Sequence, residues 1–291
     1  MAAVPTLLRS SPSVRPAQVN ADATVRYLRA GRLARVAGAV IALYGSAAHA
    51  GPVLDGIRAT GIVKLCLWPG YHGMSFRDPR TGKLNGVDID LAIELETRLG
   101  AKVVYVEAPI DKLVEQLEAH ECDLAVPGAG MPAAQPQRVR LSEPYLRSSL
   151  YGVTTRTSAL VRGWHDIDRP GVQVAVLGGT ATASAMASRL RHARLMVVGA
   201  ARSCEEEIET GRADVMMADG PYARRLLDHA EWARLVPPPQ PFFTVAYAYA
   251  VRPDDEEWLR WINEFVARIK QDGSLGRAAA RARLGDIVAR E

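Results

Sequence analysis

The feature that most restricts the fold is a short pattern that occurs twice. Residues 117–126, LEAHECDLAV, and residues 208–217, IETGRADVMM, share one layout. Each closes a helical stretch on an apolar-Glu pair, breaks for two or three residues, and opens an apolar strand after Asp123 or Asp214. Each also ends a longer alternation. Residues 63–68 read as a strand. Residues 87–99 read as a helix, with Ile89, Leu91, Ala92, Leu95 and Leu99 on one face and Gly100 as its stop. Residues 102–107 read as a strand, 110–120 as a helix and 123–126 as a strand. The series then repeats, with strands at 172–177, 195–198 and 214–218 and helices at 180–191 and 204–210. A β-α-β-α-β order predicts a parallel sheet with helices on its faces. Two such orders predict two similar α/β lobes, each Rossmann-like.

Open parallel sheets bind ligands beyond the carboxyl ends of their strands. Those ends are Trp68-Pro69-Gly70-Tyr71, Pro127-Gly128, Gly178-Gly179-Thr180 and Asp219-Gly220. Facing lobes would enclose a cleft there. The stretch 127–138, PGAGMPAAQPQR, is unusual among them. Gly128 and Gly130 allow close backbone approach to a ligand, yet no charge occurs before Arg138. Beyond the second lobe, 245–251 is an extended run, and 256–270 is an amphipathic helix whose Trp258, Trp261, Ile262, Phe265 and Ile269 read as core. The basic stretch 275–290 reads as a further helix with a solvated face.

The formal charge of +4 raises the question of nucleic acid. Its distribution argues against that partner. Six of the arginines fall in residues 1–50 beside one acid, Asp22, and the remainder is close to neutral. Residues 1–50 have the layout of an export leader: Arg26, Arg29, Arg32 and Arg35, then the apolar run 36–43, then Ala48-His49-Ala50 as a cleavage site. The expectation is a periplasmic protein cut after Ala50. The alternative is a buried amphipathic N-terminal helix. An oxidising compartment permits one disulfide among Cys66, Cys122 and Cys204. Cys66 and Cys122 lie on or beside strands of one lobe and are the favoured pair; three buried thiols are the alternative. No CxxC occurs and the histidines lack ligand spacing, so neither a metal nor a cofactor is expected.

Five segments, in order, resemble the periplasmic solute-binding proteins of family 3, the amino-acid-binding subunits of ABC importers. They are SFRDPRTGKLNGVDIDLAIEL (75–95), LSEPYLRSSLYGVTTR (141–156), VQVAVLGGTATAS (172–184), GRADVMMADGPYA (211–223) and VAYAYAVRPDDEEWLRWINEFVARIKQDG (245–273). The resemblance implies an α/β, two-lobed periplasmic-binding-protein fold with a hinge and an interlobe cleft. Lobe 1 would comprise 51–152 and 248–291, and lobe 2 would comprise 153–247. It implies a small-molecule ligand, permease and ATPase partners, and a monomer. Tyr71 falls where the family often covers the ligand with an aromatic; a surface tyrosine is the alternative. Thr180, at a helix start after two glycines, is placed to meet an anion or simply to cap its helix. Asp219 falls where the family holds the ligand's ammonium with a carboxylate; its alternative is a helix cap.

The resemblance fails at one place. Family members carry a Thr-Pro-x-Arg turn whose arginine clamps the ligand's carboxylate, and an ungapped match puts Pro132 and Gln135 at those positions. An amide cannot replace a planar bidentate cation without loss. Either Arg138 swings in, or the ligand lacks a carboxylate, or the site no longer binds tightly. The leading expectation is a non-catalytic protein that captures a small amine-bearing solute. A sensor or accessory domain is a second class. A cyclohexadienyl (prephenate or arogenate) dehydratase is a third, for which Glu143, Glu205 and Glu206 are available acids, each better explained as surface or cap.

Overall fold

A computed structural model describes residues 51–127, 137–199 and 202–289. The export-leader reading, Gly128, Gly130 and Gln135 lie outside those residues. Two five-stranded sheets organise the chain. In the first, strand Ile62–Leu67 lies between Lys102–Glu107 and Leu124–Val126, parallel to both. Two short strands, Ala250–Val251 and Arg140–Leu141, continue the sheet antiparallel. In the second, Gln173–Leu177 lies between Arg194–Val198 and Val215–Asp219, again parallel. Leu150–Thr155 then runs antiparallel beside Val215–Asp219 and carries Ala233–Val236 at its far edge. The repeated pattern in the sequence therefore builds the same three-strand arrangement twice, and the molecule is two-lobed. Between the sheets, Leu146–Ser148 pairs with Val245–Tyr247 as a two-stranded ribbon.

The helices form where apolar spacing and stop signals coincide. Val87–Leu99 buries Val87, Leu91, Ala92 and Leu95, and Gly100 ends it at φ 63°. Glu256–Gln271 is capped by Asp255, whose carboxylate accepts the Trp258 amide at 2.8 Å and the Val53 amide at 3.0 Å. Trp258 is fully buried, and its indole N–H donates to the Asp123 carbonyl at 2.8 Å. That bond ties the closing helix to the first sheet. Cys66 and Cys122 form a disulfide across a separation of 56 residues. Cys204 remains a buried thiol, pushed up to about 12 by burial.

Two sequence expectations need correction. The run 245–251 is not one strand. It breaks after Tyr247, and its halves pair in different sheets, because the chain there leaves the ribbon to enter lobe 1. The basic stretch after Gly273 does not have a merely solvated face. Ser274–Arg281 buries Leu275, Ala278 and Ala279 and packs against Val87–Leu99. It ends well before residue 290, near Arg283, which adopts φ 58°. Small residues hid this face, since alanines weigh little in an apolar pattern yet allow close helix packing.

Candidate functional site

The carboxyl ends of both sheets meet around a cavity of about 640 Å³. This is ordinary for a small-molecule site. Lobe 1 contributes Trp68, Pro69, Tyr71 and 107–110; lobe 2 contributes Leu177, Thr180, Met216–Asp219 and Tyr222. Two glycines with left-handed backbone let the lobes approach. Gly179 has φ +76°, and a Cβ there would lie 3.0 Å from Asp111 Cβ of lobe 1. Gly73 has φ +80°, and a Cβ there would lie 3.2 Å from Arg225 of lobe 2.

Tyr71 and Asp219 meet directly. Tyr71 is 3% exposed, and its hydroxyl donates across the cleft to Asp219 Oδ2. Asp219 ends its strand and caps the helix Gly220–His229, with Oδ1 accepting the Tyr222 amide at 2.9 Å. Burial pushes the Asp219 carboxyl above its usual range, while the bonds from Tyr71 and the Tyr222 amide and the neighbouring Tyr247 phenol pull the other way. Burial also raises the Tyr222 and Tyr247 phenols well above their ordinary value, so both stay protonated. Thr180 caps the helix Ala181–Arg189. Its hydroxyl accepts from the Ala183 amide at 3.2 Å and donates to the Leu177 carbonyl at 2.7 Å. The first-turn amides, which a helix leaves without internal partners, are what this corner offers to an anion.

Arg138 stands elsewhere. Its side chain is 41% exposed and forms a two-point ion pair with Glu118, with Nε 2.7 Å from Oε1. It does not contribute to the cavity wall. Glu143 is likewise outside the wall, exposed, with its amide held by Asn263.

The sequence reading set Glu205 aside as a surface or capping residue. In the structure it is half-buried on the cavity wall. Its Oε1 accepts the Tyr222 hydroxyl, and its Oε2 is buried without a partner. The helix Cys204–Glu209 starts beyond the carboxyl end of strand Arg194–Val198. The topological rule that picked out the other strand ends would have picked out this one. Arg202, beside it, is held by the fully buried Glu207 at 2.9 Å, and Arg212 binds the same carboxylate at 2.6 Å. Trp68 and Tyr222 stack with ring planes 7° apart and centroids separated by 6.4 Å. The described wall is therefore aromatic and carries four acids and Arg202; Glu107 is paired with Arg77 and Glu206 with Arg212, which leaves Glu205 and Asp219 as the acids without an ion pair among the described residues.

Residues 63–282 match the family described as bacterial extracellular solute-binding proteins, family 3. The chain belongs to that family. Among the relatives of this family 3 protein, a cyclohexadienyl dehydratase of Pseudomonas aeruginosa is 30% identical over 226 residues, covering 76% of this chain and 82% of the relative. A protein of Sinorhizobium fredii, named as a probable amino-acid ABC transporter periplasmic-binding protein, is 28% identical over 227 residues, covering 75% and 73%. In three dimensions, an ancestral amino acid-binding protein described as a precursor of cyclohexadienyl dehydratase aligns with a TM-score of 0.69 at 28% identity, covering 78% of this chain and 98% of that one.

Proposed function

We propose that this protein is a non-catalytic, exported binding protein that captures a small amine-bearing solute, an amino acid or a derivative, and delivers it to the permease of an ABC importer. Glu205 and Asp219, the wall acids without an ion pair among the described residues, carry this reading. Negative groups surrounding a partly dry site favour a cation. Residues 128–136, next to the site in sequence, contain no charged side chain to reverse that balance. Affinity would come from lobe closure over a few convergent polar groups.

A ligand that binds only the folded protein raises its melting temperature by mass action. Purified protein, unfolded and refolded to strip bound solute, is expected to be stabilised by amino acids or by the matching decarboxylated amines. At a ligand concentration 100 times Kd the stabilisation is about 2.7 kcal/mol. Silence across amino acids, monoamines and polyamines would defeat the reading.

A dehydratase is the second reading, favoured by the Pseudomonas aeruginosa relative. That chemistry needs a poised acid and cations for the substrate's carboxylates. Glu205 could serve as the acid, but the wall's Arg202 is already bound to Glu207. The expected outcome of a turnover assay with prephenate or arogenate is no product above the uncatalysed rate.

A further inference from the structure

Asp219 and Glu205 both reach the cavity wall, but their oxygens are not equally engaged. Asp219 accepts the Tyr222 amide on one oxygen and the Tyr71 hydroxyl on the other. Glu205 has one oxygen on the Tyr222 hydroxyl and one buried oxygen with no partner. A polar acceptor held away from water and unpaired is costly, and an N–H-bearing cation is a natural complement to a carboxyl oxygen. We propose that Glu205, rather than Asp219, reads the cationic nitrogen of the ligand, and that this ligand is a primary ammonium with an apolar body and no carboxylate. The inference rests on the amine-binding reading above and narrows it.

Three observations define the ligand. The stacked Trp68 and Tyr222 rings give an aromatic face beside Glu205, suited to an ammonium by cation–π attraction and to an apolar body by contact. Met216, Met217 and Leu177 extend that apolar wall. Among the described residues, the wall's Arg202 is engaged by buried Glu207, and Arg138, off the wall, by Glu118, so a carboxylate would have only the first-turn amides after Thr180.

The test uses three matched probes: phenethylamine, 2-phenylethanol and phenylalanine. Titration of the stripped protein is expected to rank phenethylamine at least tenfold above each of the others. Glu205→Gln keeps the shape and the acceptor for Tyr222 but removes the charge. It is expected to weaken phenethylamine about 10- to 30-fold, the difference between a charged and a neutral hydrogen-bond partner, and to leave 2-phenylethanol within about twofold. Equal losses for amine and alcohol would make Glu205 merely structural and overturn the proposal. An unchanged amine affinity would place the cation elsewhere and overturn it too. Tighter binding of phenylalanine than of phenethylamine would overturn the carboxylate-free ligand. In each of these three cases the amine-binding reading itself would stand. Failure of every amine and amino acid to bind would instead defeat that reading, and this proposal with it.

Discussion

Cys66→Ser is expected to destabilise the protein by about 4 kcal/mol, the loop entropy released when a cross-link spanning 56 residues is removed. For a chain of this size that is roughly 10 °C in melting temperature. The bond joins strand Ile62–Leu67 to Cys122, two residues ahead of strand Leu124–Val126, so it ties together two neighbouring strands at the centre of the first sheet. Beside it, the buried Arg252 donates to the Cys122 carbonyl at 3.0 Å, which ties the returning chain to the same point. Loss of the bond should therefore loosen strand Ile62–Leu67, whose carboxyl end leads into Trp68 on the cavity wall. The measurement is calorimetric melting of wild type and Cys66→Ser, with and without reductant. Reductant should lower the wild-type melting temperature toward that of the variant and leave the variant unmoved. Identical melting temperatures throughout would show that the cross-link carries no stability.

Ligand affinity is expected to fall as the medium is acidified, through His72. This ring sits where the lobes touch. It stacks on Phe76 of its own lobe at 4.0 Å between centroids and meets Tyr222 edge-on at 5.4 Å from the other. The His229 ring is 6.3 Å away, the Arg225 guanidinium lies nearby, and Nδ1 is buried without a partner. Burial first, then His229 and Arg225, lower the His72 pKa to about 4. With the lobes apart, the ring returns toward its ordinary value near 6.5. Above that pH both forms are neutral and closure is unaffected. Below it, the open form gains a proton that the closed form refuses, so closure weakens by up to tenfold per pH unit until about pH 4. At pH 5 the full effect would be about 30-fold, reduced to about 10-fold by solvent around a half-buried ring. Asp219, whose pKa is raised, works in the opposite sense by taking up a proton in the closed form. The His72 share is therefore the difference between wild type and His72→Phe, measured as Kd from pH 7.5 to pH 4.5. Parallel curves for the two proteins would remove His72 from the linkage.

The repeated LEAHECDLAV and IETGRADVMM stretches, and the strand and helix periods around them, are local properties. They were enough to specify two parallel three-strand units, strand ends that border the cavity, and the helices beginning after Thr180 and Asp219. Capping and periodicity act within a few residues, so a sequence displays them. What it does not display is which side chain answers which across long separations. The engagement of Asp219 by Tyr71, 148 residues away, the hold of Glu118 on Arg138, and the place of Glu205 on the cavity wall all follow from how the lobes pack. The division of 245–251 between two sheets and the burial of the small-residue face at 274–281 have the same origin. Several acids are equivalent as letters in a chain; burial, a filled or unfilled set of hydrogen bonds, and the neighbouring charges make them different, and those are decided only when the tertiary structure forms.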